Sequence, residues 1–145
     1  MFVIDSSVFA KIFIEESDSK IARGFIATCL SENIKLIAPK LFYYEIVQVV
    51  LHYNYSLINI LQLLNKYCSY NLTLIDPSNE CWLKAEEIVK YGHSKSGFAS
   101  LYDSIYHALA ILYGCQFITA DKRHEAKTSK FGHITLLENW KSVSV

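Results

Sequence analysis

The feature that most constrains this chain is an alternation of very short apolar runs with longer amphipathic segments. Phe2–Ile4, Lys35–Ala38, Leu72–Ile75, Gln116–Thr119 and Ile134–Leu136 read as brief buried strands bounded by helix or turn signals. Between them the pattern predicts helices from Ser6 to about Ile14, from Ser19 to Leu30, and onward from Pro39, which suits a helix entry. Leu57, Ile60, Leu61, Leu64 and Tyr67 then recur at helical spacing, with Asn59, Gln62 and Lys66 on the opposite side. Pro77 and Ser78 open a helix reaching about Tyr91, Gly92 to Gly97 reads as a loop, and a further helix covers about 101 to 113. A short basic helix precedes the last strand. Apolar strands alternating with helices imply a mostly parallel sheet covered on both faces, an α/β sandwich.

Nothing in the chain suggests a second domain. No Pro/Gly/Ser-rich linker, repeat or low-complexity tract interrupts residues 1–145, and a single domain of this length buries roughly two-thirds of its unfolded surface. With 52% hydrophobic and 19% charged residues the composition is that of a globular protein and not of a disordered one. Asp5 interrupts the apolar start, which predicts no signal peptide, and no apolar run approaches the roughly 18 residues of a membrane span. Cys29, Cys68, Cys81 and Cys115 lie far apart, a pattern suited to core thiols in a reduced cytoplasmic protein.

The acidic residues carry the chemistry. In parallel sheets, ligands gather beyond the carboxyl ends of the strands. Asp5 directly follows the first strand and Asp121 comes two residues after Thr119, so both fall at the same sheet edge. Aspartate is also a preferred helix N-cap, and capping alone accounts for either one. Ser100-Leu101-Tyr102-Asp103 has the spacing of a capping box, and a carboxylate in a first helical turn is favoured by the helix dipole. Glu45 is harder to explain structurally. The helix LFYYEIVQVVLHY is apolar nearly all round, which predicts extensive burial, and Glu45, Gln48 and His52 form one narrow polar stripe along it. A buried glutamate is costly unless paired or neutralised, so the stripe is expected to face a polar pocket.

Carboxylates converging on one crevice repel one another, and a divalent cation removes that conflict. Hard ions such as Mg²⁺ and Mn²⁺ take oxygen ligands, so an acidic cluster without a His or Cys ligand set points to phosphoryl chemistry.

At this point four blocks resemble a family. DSSV at 5–8, APKLFYYE at 38–45, YDSIYHALA at 102–110 and ITAD at 118–121 resemble the PIN-domain ribonucleases, and among them the VapC-like toxins of toxin–antitoxin pairs. The similarity runs in order along essentially the whole chain. It implies a PIN-like α/β/α sandwich with a mostly parallel central sheet flanked by helices. It also implies that Asp5, Glu45, Asp103 and Asp121 bind Mg²⁺ or Mn²⁺ and catalyse endonucleolytic cleavage of single-stranded or structured RNA, leaving 5′-phosphate and 3′-hydroxyl ends. Ser7 and Thr119 match small hydroxyl positions that would donate hydrogen bonds to the acids. Members of the family are commonly homodimers, and the toxins are inhibited by a small antitoxin protein. His107 stands where the family is usually apolar; one turn from Asp103, it is expected on the helix surface.

The formal net charge of zero argues mildly against a nucleic-acid partner. Against that, Lys122, Arg123, His124, Lys127, Lys130 and His133 cluster after Asp121, opposed locally by Glu125. Lys122, Arg123 and Lys127 are therefore the expected RNA phosphate contacts, with Lys90, His93 and Lys95 as a second group. Tyr43, Tyr44, Tyr53 and Tyr55 form an aromatic patch that suits core, dimer interface or antitoxin groove. Two other acidic α/β sites fit less well. Haloacid-dehalogenase-type phosphatases need an acid where Ser7 stands, and receiver domains need an Asp/Glu pair that does not accompany Asp5. The remaining alternative is a PIN fold kept as a binding or assembly module without significant cleavage.

Overall fold

The computed structural model describes residues 1–91, 95 and 97–141. Five strands, β1 (Phe2–Ile4), β2 (Leu36–Pro39), β3 (Leu72–Ile75), β4 (Gln116–Thr119) and β5 (Ile134–Leu136), form one parallel sheet in the order β3-β2-β1-β4-β5. The helices are α1 (Ser6–Ala10), α2 (Ser19–Ser31), α3 (Leu41–His52), α4 (Leu57–Tyr70), α5 (Asn79–Tyr91), α6 (Leu101–Leu112) and α7 (Lys122–Thr128). From β1 the chain steps outward to β2 and β3, then returns across β1 to β4 and β5. Right-handed crossovers put α1 to α4 on one face of the sheet and α5 to α7 on the other. The result is the α/β/α sandwich expected from the sequence, with its topological switch between β1 and β4.

Packing follows the apolar spacing. Phe25 of α2 meets Phe2 edge-on, and Phe9 of α1 lies between Phe42 of α3 and Tyr67 of α4, at 5.3 and 5.0 Å between ring centroids. On the opposite face α6 packs against α5 and strands β1, β2 and β4. Seven consecutive residues, Ser104 to Ala110, are buried as a result. Tyr106 stacks on Phe117 of β4 at 5.6 Å.

Three local expectations change. The first helix ends at Ala10 and not at Ile14. Beyond it Ile12 and Phe13 bond three residues back, and buried Lys11 ion-pairs with Glu16 and Asp18, which turns the chain. Pro39 ends β2 and does not open α3. The pairing of β1 with β2 reaches only Val3 and Ile37, so the missing N–H of Pro39 faces no β1 partner. Finally, α3 is not buried all round. Phe42, Ile46 and Val50 are buried, whereas Tyr44 is 74% and Leu51 63% exposed. This chain supplies no partner for that outer face among the described residues.

Of the four free thiols, Cys29 and Cys81 are buried, Cys115 is half-buried and Cys68 is exposed. The core-thiol expectation therefore fails for Cys68, which lies on the outer side of α4. Among the described residues no helix is long and apolar enough to cross a membrane. The expected loop at 92–97 lies largely outside the described residues.

Candidate functional site

Parallel pairing of β1 with β4 aligns Ile4 with Ile118, so the residues just beyond both strands emerge side by side. The backbone N–H of Asp5 donates to the Ile118 carbonyl at 3.0 Å. Asp5 then caps α1, its Oδ1 accepting from the Ser7 N–H at 3.2 Å, while its Oδ2 accepts from the Thr119 hydroxyl. That hydroxyl also accepts from the Asp121 N–H at 3.0 Å. Asp121 caps α7, its Oδ1 accepting from Arg123 and His124 N–H groups at 2.8 and 3.0 Å. Capping is thus a real role of both aspartates, and each performs it through Oδ1.

Burial decides how these groups ionise. Asp5 is only 4% exposed, and desolvation holds its carboxyl above the usual range. Hydrogen bonds from Thr119 and Ser7 oppose that rise, and the negative charge of Asp121 adds to it. Asp103, in the first turn of α6 behind the Ser100 cap, is pushed up to about 7. Burial is the largest cause, but Asp5, Asp121 and Glu45 all raise it further. Glu45 projects from half-buried α3, and burial raises its carboxyl too. The Tyr106 hydroxyl donates to Glu45 Oε2 and partly offsets the rise, as does Ser6, while Asp5 adds to it. Tyr106 in turn is raised by burial and by Glu45, which keeps it a phenol donor.

The four acids therefore share one electrostatic field at the switch point. As the side chains stand, no three His, Cys, Asp or Glu groups among the described residues close to metal-holding spacing. The chemistry of the donor set still suits a hard divalent cation. It is all oxygen, and like charges press Asp103 toward its protonated form, a pressure that a bound cation would reverse.

Two depressions flank the acids. One, of about 290 Å³, has Ser100, Asp103, Asp121, Arg123 and Lys127 in its walls. The other, of about 360 Å³, is lined by Ser6, Ser7, Glu45, Gln48, His52 and Tyr53 among others. The polar stripe of α3 lines this second depression, but the expected polar pocket is met only at half-buried Glu45; Gln48 and His52 are exposed to solvent at its mouth.

Several expectations need correction. His107 is not on the helix surface: it is fully buried, because α6 at this turn is enclosed by the sheet and by α7. One ring nitrogen, Nε2, lies 2.6 Å from the Gly132 carbonyl and the other, Nδ1, 3.3 Å from His124 Nε2. His124 also leaves the basic group, being 3% exposed, with its ionisation pushed down to about 4 chiefly by burial and next by His107. Glu125 is not the main local counter-charge, since Lys122 pairs with Glu138 at 2.6 Å. Lys127 donates to the Phe98 carbonyl at 3.1 Å, Lys130 lies over the Tyr91 ring, and His133 Nδ1 is 2.9 Å from the Cys115 carbonyl. Lys90 pairs with Glu86, and His93 lies outside the described residues. Of the tyrosine patch, Tyr43 is half-buried while Tyr44, Tyr53 and Tyr55 are exposed.

Tyr106 was missed by sequence reasoning. Its partner Glu45 is 61 residues away, and an apolar-looking helix position carries no sign of a polar task.

The PIN-domain family model matches residues 2–130, and the chain belongs to that family. PIN domains are in general nucleases that use divalent metal ions. A solved toxin–antitoxin complex from Klebsiella pneumoniae contains a similar chain, with 15% identity and a TM-score of 0.67 over 94% of this chain and 98% of that one. At that identity the likeness concerns the fold. No curated protein matches this sequence significantly.

Proposed function

We propose that this protein is a metal-dependent endoribonuclease, the toxin of a toxin–antitoxin pair. The observation that carries this reading is the placing of Asp103 among the other acids. Burial first, and then the charges of Asp5, Asp121 and Glu45, push Asp103 up to about 7, an arrangement that costs stability and that capping alone does not require.

On this reading Asp5, Glu45, Asp103 and Asp121 hold Mg²⁺ or Mn²⁺ at the carboxyl ends of β1 and β4. When bound, the ion supplies charge stabilisation for the phosphate and lowers the pKa of a water. The chain's own contribution is positional. Thr119 and the Ser7 N–H orient Asp5, Tyr106 holds one oxygen of Glu45, and the α7 N–H groups orient Asp121. Lys122, Arg123 and Lys127 engage RNA phosphates. Arg123 lies in the wall of the acid-side depression, Lys122 must exchange Glu138 for phosphate, and Lys127 must turn from the Phe98 carbonyl. Partners are RNA, a small antitoxin and a second copy of the chain, with action in the cytoplasm. The similar chain in the Klebsiella pneumoniae toxin–antitoxin complex supports the antitoxin pairing.

The alternative, a PIN fold used only for binding or assembly, draws on the spacing of the acids, which falls short of a ligand set among the described residues. Purified, metal-stripped protein incubated with mixed RNA separates the two. The nuclease reading expects cleavage to 5′-phosphate and 3′-hydroxyl ends with Mg²⁺ or Mn²⁺, none in chelator, and none from Asp5→Asn. Full cleavage in chelator, or none with either metal, overturns it.

A further inference from the structure

The polar stripe of α3 runs past the acids into the 360 Å³ depression. Ser6, Ser7 and Glu45 form its acid-side wall, and Gln48, His52 and Tyr53 the remote one. No Lys or Arg among the described residues lines it, whereas Arg123 and Lys127 line the depression on the other side of the acids. A lining that is largely apolar, with a few polar side chains and neither Lys nor Arg among the described residues, is poorly suited to a phosphate and well suited to a base, its face on the apolar part and its edge on the polar groups. The Gln48 amide offers both a donor and an acceptor, and the His52 ring offers nitrogens of its own.

The remote wall is also aromatic and held in place. Tyr53 stacks on Tyr55 with ring centroids 6.3 Å apart and planes inclined by 28°, and His52 packs edge-on to Tyr53 at 5.1 Å. Tyr55 in turn meets Phe13 at 5.9 Å. The backbone N–H groups of Tyr53 and Tyr55 bond the Val49 and Val50 carbonyls, both at 3.0 Å, so the rings ride on the end of α3. Exposed, pre-positioned aromatic rings are the usual stacking surface for unpaired bases.

We propose that this depression is a nucleobase subsite. An unpaired base of the RNA stacks against Tyr53 and is read at its edge by Gln48 and His52, while the phosphates on the other side of the acids meet Arg123 and Lys127. The inference rests on the ribonuclease reading and adds one statement to it: base preference is set on the Glu45 side, by Gln48, His52 and Tyr53.

The test uses Gln48→Ala and Tyr53→Leu, both at exposed positions, with melting curves to check folding. A single-stranded oligonucleotide carrying 2-aminopurine reports stacking by quenching, and sequenced product ends from a randomised RNA report base preference. Tyr53→Leu is expected to lose the quench and roughly tenfold in affinity. Gln48→Ala is expected to relax preference at one position by about tenfold and leave the others unchanged. If the wild type cleaves and both variants keep its sites and affinity, the subsite falls and the ribonuclease stands. Tyr53-dependent binding without any cleavage leaves the subsite standing and removes the ribonuclease. If Tyr53→Leu instead converts a dimer to a monomer in sedimentation, with RNA affinity unchanged, the tyrosines belong to a contact between copies and the proposal is overturned.

Discussion

The Thr119 hydroxyl donates to the buried carboxylate of Asp5 across the central strand pair, and the same oxygen accepts from the Asp121 backbone. One hydroxyl thus ties together two acids that lie 116 positions apart in the sequence. Removing it leaves a buried acceptor without its donor, a loss of about 1–3 kcal/mol. Thr119→Val, which keeps the shape, should lower stability in urea by that amount, and Thr119→Ser should lose much less. Equal stability of the two variants would assign Thr119 to packing alone.

The elevated Asp103 makes a pH-dependent prediction for the metal-free protein. Its folded carboxyl titrates at about 7 against 3.8 unfolded, so the native state holds a proton that the unfolded state has released. Stability is therefore lost as pH rises from about 4 to about 7. The cost at neutral pH is smaller than the full shift would give, because Asp103 is partly open to solvent and its repulsions are screened. The favourable helix-dipole term given up by Asp103→Asn is only about 0.3–1 kcal/mol, so relief of burial and repulsion wins. Melts in chelator should show the variant gaining on wild type as pH rises through that window. A gap independent of pH contradicts the shared field.

His107 and His124 predict the opposite slope. Both are held below 6.5, His107 by burial and His124 by burial and then by His107, with His124 reaching about 4. The unfolded chain takes up these protons first, so stability falls as pH drops from 6.5 toward 4. The tautomers follow from the partners. A carbonyl can only accept, so His107 carries its proton on Nε2 and leaves Nδ1 bare; His124 must then donate from Nε2. That leaves His124 Nδ1 buried and without a partner among the described residues. Imidazole nitrogen NMR at pH 7 should find both rings neutral and protonated on Nε2. A charged His124 ring at that pH rules this out.

The basic residues make a salt-dependence prediction. Each phosphate contact to a single strand contributes about 0.7 to the slope of log affinity against log salt. Replacing Lys122, Arg123 and Lys127 with Ala should flatten that slope by about 2 and weaken binding alike across sequences. An unchanged slope returns the cluster to a solvated helix face.

How much of this was legible in the chain depends on the range of each interaction. The strand runs, the switch-point position of Asp5 and Asp121 and the Ser100 cap are local patterns, and each reappears in the structure. Asp5 and Asp121 also show that capping does not exhaust what a carboxylate can do: in each Oδ1 caps a helix, and at Asp5 burial and then the charge of Asp121 raise the carboxyl as well. What local pattern could not supply is partner identity. His107 looks like a surface histidine until α7 and the Gly132 turn, 17 and 25 residues away, enclose it. Lys122 looks available until Glu138 arrives beside it. The apolar periodicity of α3 could not distinguish burial inside this chain from an outer face left for something else, and Tyr44 and Leu51 lie on that outer face.

The central claim is that the four acids bind one metal site together. Its most direct test is a pair of thermal melts, wild type and Asp103→Asn, each with chelator and with Mn²⁺. A ligand at about 100 times its dissociation constant adds roughly 2.7 kcal/mol to the state that binds it, which is several degrees for a chain of this size. Wild type should gain that shift on Mn²⁺ addition and Asp103→Asn much less, reversing their order in chelator. Equal shifts in the two proteins, or none in either, contradict the account.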